Sequence, residues 1–81
     1  MKKHTELYFN HFGLNQGDFI ECEVCGSEAV DLHHIKSRGM GGTKKPDVIE
    51  NIMALCRSCH IKYGDKKQYV DFLIETHSKL L

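Results

Sequence analysis

The sequence has no tryptophan, a single proline and a formal net charge of zero. It contains no apolar run approaching the ~20 residues that a membrane-spanning helix needs. The two lysines near its N-terminus are not followed by the apolar stretch of about 7–15 residues that characterises a secretory signal. Repeats, low-complexity tracts and linkers are also missing. These absences predict one small domain over residues 1–81 that works in the cytoplasm, away from membranes.

What the chain does have is four cysteines in two close pairs, Cys22 with Cys25 and Cys56 with Cys59. A domain this small buries only about 60% of the surface that its unfolded chain exposes, so it often needs a metal, disulfides or a partner. Disulfides are disfavoured inside cells, whereas paired cysteines form knuckles whose thiolates point to a common metal. The spacing therefore predicts a tetrahedral structural Zn²⁺ held by all four cysteines.

Other uses of these cysteines fit less well. The run "CRSCH" at residues 56–60 matches a haem-attachment pattern, but that interpretation leaves the first cysteine pair without a role and lacks an export signal. A thioredoxin-like redox site would need only one pair, in a βαβ context. A plain zinc ribbon typically has about 15–20 residues between its pairs. Here there are 30, and they include a histidine pair, a basic loop and an asparagine.

Charge is distributed unevenly along the chain. Residues 1–35 carry two lysines against six acids, whereas residues 36–67 carry eight basic residues against three acids. Local rather than total charge attracts phosphate, so the middle segment is a candidate nucleic-acid-binding surface. A solvated, lysine-rich loop is the alternative.

Hydrophobic patterning predicts a small α+β fold. The segment 36–50 is rich in glycine, holds the proline and is long for a loop in so small a domain, which favours a functional role. The other predicted elements are a helix over 5–12, strands over 19–25 and 29–35, a third strand or bridge over 51–56, a helix that begins at Arg57 and pauses at Gly64, and a helix over 66–80.

Two adjacent histidines lie on one of the predicted strands. The stretch "DLHHIKSRG" contains His33 and His34, and successive strand residues point to opposite faces. One ring could therefore bind a metal while the other acts as a base, for which an unperturbed pKa of ~6.5 is suitable. Asn51 follows 17 residues after His34, and His60 follows nine residues after Asn51.

At these residues the sequence resembles the HNH endonuclease family, in the subset that binds zinc through four cysteines. The matching stretches are "LHHI", "IENIMALC" and "CRSCHIKYG", together with "CEVC", and they cover roughly residues 20–64. The resemblance implies a zinc-stabilised ββα-metal (treble-clef) core, flanked here by an N-terminal and a C-terminal helix. It also implies metal-dependent hydrolysis of DNA phosphodiester bonds, with one strand nicked per active site.

The resemblance gives each matching residue a role. His34 corresponds to the general base, and Asn51 to the asparagine that holds the loop around it. His33 and His60 correspond to ligands of a catalytic divalent cation, which could be Mg²⁺, Mn²⁺, Ni²⁺ or Zn²⁺. Many members have aspartate where this chain has His33, and imidazole favours zinc or nickel over magnesium. The remaining histidines match no position and are expected to be structural or exposed: His4, His11 and His77.

Basic side chains would hold the DNA backbone beside this site. The candidates are Lys36, Arg38, Lys44, Lys45, Arg57 and Lys62. Duplex DNA is the expected partner, and the expected state is a monomer or a weak homodimer. Small proteins of this family occur in phages, mobile elements and restriction systems. The alternative is a non-catalytic four-cysteine zinc module that binds nucleic acid or a protein partner.

Overall fold

The computed structural model describes residues 2–36 and 47–81. Its elements are helix α1 (Lys3–Phe12), strands β1 (Asp31–His34) and β2 (Ile52–Leu55), and helices α2 (Arg57–Tyr63) and α3 (Val70–Ser78). Short 3-10 turns precede β2 (Ile49–Asn51) and α3 (Lys67–Tyr69). Within this described part, no helix is long and apolar enough to cross a membrane. The result is a small α+β fold, as the sequence predicts.

The two strands form an antiparallel pair in which Asp31 lies opposite Leu55 and His34 lies opposite Ile52. Opposed residues of an antiparallel pair share one face of the sheet, and successive residues alternate between faces. His33 therefore lies on the same face as Met53, and His34 lies on the other face. This alternation directs the adjacent histidines toward different parts of the molecule.

Each face of the hairpin packs against different helices. The face with Met53 and Leu55 joins Leu73 of α3 and three of the four cysteines in one hydrophobic cluster: Cys22, Cys56 and Cys59. The opposite face, with Ile52 and Ala54, packs on Tyr8 of α1. All four residues of β2 are fully buried. The strand is therefore covered on both sides, which explains its continuous apolar sequence.

The flanking helices lie close to where the sequence predicts them. The first begins at Lys3 and ends at Gly13, whose φ of 66° places it in the left-handed region that glycine adopts without strain. The segment predicted as one helix over 66–80 begins with a 3-10 turn and becomes α-helical only at Val70. The change of direction is made at Asp65, which has a φ of 57°.

The strand predicted over residues 19–25 is wrong. Glu21 makes an isolated bridge to Glu28, and residues 23–25 form a turn. The chain reverses here because the Gly26 N–H donates to the Cys22 carbonyl and the Cys22 N–H donates to the Ser27 carbonyl. Gly26 has a φ of 83°, which glycine tolerates best. The alternating apolar pattern of this segment thus comes from a turn that carries two cysteines rather than from a strand.

A buried polar network connects the helices to this turn. The carboxylate of Glu23 accepts hydrogen bonds from the Tyr8 hydroxyl at 2.6 Å, from the Ala54 N–H at 2.9 Å and from the His77 ring at 2.6 Å. The other ring nitrogen of His77 lies 2.6 Å from the carbonyl oxygen of Ile49. Both partners of His77 are acceptors, so both ring nitrogens carry protons and the ring is an imidazolium.

The charge state of His77 follows from opposing effects on its pKa. Burial lowers the pKa, but the hydrogen bond to Glu23 and the one to the Ile49 carbonyl raise it, with a net rise above the ordinary value. The side chains of His77 and Glu23 are 1% and 2% exposed, so the pair is isolated from solvent. This ion pair joins α3 to the turn that carries the first cysteines.

Candidate metal centres and active site

Four cysteines converge between the turn at residues 22–25 and the start of α2. All are free thiols, and their sulfur atoms lie within 4.8 Å of one another. The Cys25 and Cys56 sulfurs are 3.6 Å apart. A disulfide would require about 2.05 Å, whereas sulfurs around a tetrahedral zinc with bonds of about 2.3 Å lie roughly 3.8 Å apart. The cluster therefore has the dimensions of a zinc site.

Backbone groups set the thiolate positions at both cysteine pairs. Cys56 precedes α2, and its sulfur accepts a hydrogen bond from the Cys59 N–H at 3.4 Å. At the other pair, hydrogen bonds from the side chain and backbone of Ser27 lower the pKa of Cys25 to about 6. Burial raises the pKa of Cys59 instead. Because a metal binds the thiolate, proton release from the buried cysteine would accompany metal binding.

A second group of candidate ligands lies where β1 meets α2. The rings of His33 and His60 are 4.9 Å apart between centroids. Together with the Asp65 carboxylate they offer ligand atoms that lie within 4.8 Å of one another. Asp65 reaches this position through the positive-φ turn that follows α2. The three side chains form a donor set of two imidazoles and one carboxylate.

His33 is the buried member of this group, and it is 4% exposed. Within the described part of the chain, its buried Nε2 has no hydrogen-bond partner. Burial and the neighbouring His60 lower the pKa of His33, which favours the neutral ring that metals bind. A buried nitrogen without a partner costs roughly 1–3 kcal/mol, and a bound ion would remove that cost.

The orientation of His60 is fixed from two sides. Its Nδ1 donates to the Asp31 carboxylate at 2.9 Å, and Arg57 lies 3.4 Å from the other oxygen of that carboxylate. A histidine that donates one N–H to a carboxylate is a frequent arrangement in metal sites, where it leaves the other nitrogen for the ion. On the opposite side Gly64 packs on the ring. A Cβ at Gly64 would lie 2.4 Å from His60 Cδ2.

His34 occupies a different environment on the other face of the hairpin. Its Nε2 lies 2.7 Å from Oδ1 of Asp47. This hydrogen bond lowers the pKa of Asp47, so the carboxylate is ionised and acts as the acceptor. Nε2 of His34 therefore carries a proton, and the neutral form of the ring has its lone pair on Nδ1. The ring of His4, from the first turn of α1, is 4.7 Å away between centroids.

Asn51 holds the chain just after the histidine pair. Its Oδ1 accepts from the Lys36 N–H at 2.8 Å, and its Nδ2 donates to the Lys36 carbonyl at 2.7 Å. The backbone carbonyl of Asn51 accepts a further bond from the Ile35 N–H at 2.9 Å. The asparagine thereby extends the pairing of the two strands beyond His34 and fixes the backbone at Lys36.

Comparison with known families agrees with this arrangement. A family model described as HNH endonuclease matches residues 22–66, more than half of the chain. The chain belongs to the HNH endonuclease family. Neither curated proteins nor solved structures gave a significant match. The matched segment of this HNH protein includes both cysteine pairs, the hairpin and α2.

The basic residues predicted to contact DNA are only partly placed by the structure. Lys36 begins the segment that Asn51 holds, and Arg57 lies beside the His60–Asp31 pair. Lys62 lines a surface pocket on the zinc side, with Cys25 and Cys59. Three further candidates lie outside the described residues: Arg38, Lys44 and Lys45.

Sequence reasoning missed three aspartates and one histidine in these HNH sites. Asp31 shares a strand face with His33, and that two-residue spacing was a usable signal. Asp65 follows the glycine that ends α2, which gave only a weak signal. Asp47 and His4 approach His34 through the tertiary fold, so no local spacing indicates them.

Proposed function

We propose that this protein is a metal-dependent HNH endonuclease that hydrolyses DNA phosphodiester bonds and nicks one strand per active site. The observation that supports this most strongly is the buried Nε2 of His33, which has no hydrogen-bond partner among residues 2–36 and 47–81. It lies beside His60 and Asp65 in a group separate from the cysteine cluster. A module that used zinc only for structure would have no need of a second donor set with an unsatisfied nitrogen.

In this proposal His33, His60 and Asp65 hold the catalytic cation. Two imidazoles and one carboxylate suit zinc or nickel better than magnesium, which prefers oxygen ligands. The bound ion would neutralise the charge that builds on the phosphate and on the departing 3′ oxygen. Asp31 accepts a hydrogen bond from the Nδ1–H of His60 and so would leave the other ring nitrogen for the ion, and Gly64 leaves space for that ring.

His34 acts as the general base. Because its Nε2–H donates to Asp47, the lone pair on Nδ1 can take a proton from water. The water oxygen then bonds to phosphorus as the bond to the 3′ oxygen breaks, and the proton remains on the His34 ring. Asp47 stabilises the resulting imidazolium, so its carboxylate both selects the tautomer and compensates the charge.

Asn51 and the basic residues position the reactants. Asn51 bonds both the N–H and the carbonyl of Lys36, and so fixes the backbone that follows the base histidine. Arg57 is 69% exposed at the start of α2, so its guanidinium can reach a phosphate while remaining near Asp31. The other cations would hold the backbone of duplex DNA without reading its sequence.

The test is cleavage of supercoiled plasmid with Mg²⁺, Mn²⁺, Ni²⁺ or Zn²⁺, with and without chelator. The zinc-loaded wild-type protein should produce open circles, and His34→Ala should reduce the rate by about 10²–10⁴-fold. His33→Ala should abolish cleavage with each of the metal ions. His11→Ala, on the exposed side of α1, is the matched control for loss of an imidazole.

A different result would favour the alternative function. Binding of DNA that weakens with salt, without cleavage under any ion, would indicate a non-catalytic zinc module. Equal cleavage by the wild type and His34→Ala would refute the assignment of the base. If the cleavage activity separates from the protein during further purification, the protein is not the nuclease.

A further inference from the structure

A third group of potential ligands surrounds the proposed general base. His4, His34 and Asp47 offer ligand atoms that lie within 4.8 Å of one another, and all three side chains are half-buried. His4 comes from the first turn of α1, His34 from β1, and Asp47 from the segment before β2. Nothing in the nuclease chemistry proposed above requires His4.

The protonation states of this group suit a metal ion. Burial and the neighbouring His34 lower the pKa of His4, which favours its neutral, metal-binding form. Asp47 is ionised, because its hydrogen bond to His34 lowers its pKa. Two imidazoles and one carboxylate make up the ligand set of several three-residue zinc sites. The group thus offers suitable zinc ligands, and Asp47 does not need to lose a proton before it binds the ion.

The distances also suit an ion. Ligand atoms about 2.0–2.2 Å from a tetrahedral zinc lie roughly 3.3 Å apart. The His34–Asp47 distance is 2.7 Å, and the group as a whole spans at most 4.8 Å. Binding would therefore require small rotations of half-buried side chains and no movement of the hairpin.

We propose that His4, His34 and Asp47 form a second imidazole–carboxylate zinc site, and that zinc bound there inhibits the nuclease. The inhibition, but not the site itself, rests on the function proposed above. A neutral imidazole has one N–H. When an ion takes the lone pair of Nε2, that proton must reside on Nδ1, and the ring can no longer accept a proton from water. Coordination through Nδ1 would block the base directly.

The surroundings make this a weak site that fills only when zinc is in excess. Lys2 opposes the charged form of His4, and Lys3 is close enough to influence Asp47, so two cations repel a third. At the catalytic group, the acids Asp65 and Asp31 act in the opposite direction, because their charges favour a cation near His33. Occupancy should therefore follow the order cysteine site, catalytic site, inhibitory site.

The site is tested first by metal binding, without reference to activity. Protein with its cysteine site filled is titrated with Zn²⁺ in a calorimeter. The wild type should bind two further ions, and His4→Ala and Asp47→Ala should each bind one. His33→Ala should lose the other ion. His11→Ala on the same helix and Asp71→Ala on α3 are matched controls that should retain both.

Nicking supplies the second measurement, with Mn²⁺ held constant and zinc increased. Each variant is normalised to its own rate without added zinc. The zinc concentration that halves the wild-type rate should rise about tenfold or more in His4→Ala, by analogy with the loss of other metal-site partners. In His11→Ala it should not change.

The outcomes separate this proposal from the nuclease assignment. A wild type that binds one further ion, or a His4→Ala protein that still binds two, would overturn the inhibitory site whatever the activity. Two ions bound with no nicking would keep the site and reject the nuclease. Nicking that zinc inhibits equally in the wild type and His4→Ala would reject the inhibitory role.

Discussion

The cysteine cluster, called the cysteine end below, and the His33 group, called the histidine end, take the adjacent residues Cys59 and His60 from α2. They differ in how completely the protein itself satisfies their polar atoms. At the cysteine end, knuckle turns and backbone N–H groups set the sulfurs, and three of the four cysteines are buried. At the histidine end, Asp31 fixes one ring, but the Nε2 of His33 has no partner within the described chain.

This difference indicates that the cysteine site is needed for folding, whereas the histidine site is formed by a fold that does not depend on it. Cys22, Cys56 and Cys59 belong to the same hydrophobic cluster as Ile35, Met53 and Leu73, so a metal bound to the cysteines would stabilise the core directly. His33 is held in place by the hairpin and α2 before any ion arrives. We expect mutations at the two ends to have different consequences, and the following predictions test that expectation.

The largest effect is expected from Cys22→Ser or Cys56→Ser. Either change removes a thiolate from the cluster, and structural zinc contributes apparent binding energies of about 10–16 kcal/mol in small zinc domains. Both variants should lose zinc and unfold, as measured by metal content and far-ultraviolet circular dichroism. His33→Ala is the contrasting control and should remain folded. A soluble, folded Cys22→Ser protein would show that the cysteine end is not needed for folding.

A smaller effect, confined to the histidine end, is expected from Asp31→Asn. The amide cannot orient the His60 ring as the carboxylate does, and loss of such partners typically weakens metal affinity about 10–100-fold. Titration of the zinc-loaded protein with the catalytic ion measures this loss, and the content of cysteine-bound zinc should stay at one per chain. Because the change also frees Arg57, Arg57→Ala serves as the control and should retain the affinity.

Gly64→Ala should disturb the same ring by steric means. The backbone at Gly64 has a φ of −70°, which alanine adopts freely, so any effect comes from the new methyl group. That group would lie 2.4 Å from His60 Cδ2 and 2.5 Å from the His60 carbonyl oxygen. Overpacking of this kind costs about 1–3 kcal/mol.

Chemical denaturation and titration of the catalytic ion measure the two consequences of Gly64→Ala. We expect lower stability and a weaker histidine-end site, with the cysteine zinc retained. Gly17→Ala is a control for adding a methyl group where nothing lies within 4 Å, although its φ of 90° brings backbone strain of its own. Unchanged metal affinity in Gly64→Ala would mean that the position of His60 is not limiting.

The two ends also differ in how far the sequence predicts them. The cysteine pairs are a local signal, and the four cysteines lie together as predicted. His33 and His60 also lie together, but His34 belongs to a different group and Asn51 bonds the backbone of Lys36. The strand expected over 19–25 was wrong because turn-forming cysteines and a buried Glu23 imitate the alternation of a strand. The partners of His34 were missed because they come from distant segments, and only folding brings them together.

The buried His77–Glu23 pair provides the smallest expected effect, and it lies on the side of the cysteine end, because Glu23 belongs to the turn that carries Cys22 and Cys25. The folded-state pKa of His77 is raised above its usual value near 6.5. Its contribution to stability is therefore fully present below about pH 6.5, and is lost as the pH rises through the higher folded-state pKa.

The reference for this measurement is the double variant Glu23→Gln/His77→Gln, which leaves no unpaired buried charge. With zinc saturating, the free energy of unfolding of the wild type relative to the double variant should be largest below pH 6.5 and should decline above it. His11→Gln, an exposed change, should follow the wild type at every pH. A difference that stays constant from pH 5.5 to 9 would mean that His77 does not exchange its proton over this range, because the network holds it in one charge state throughout.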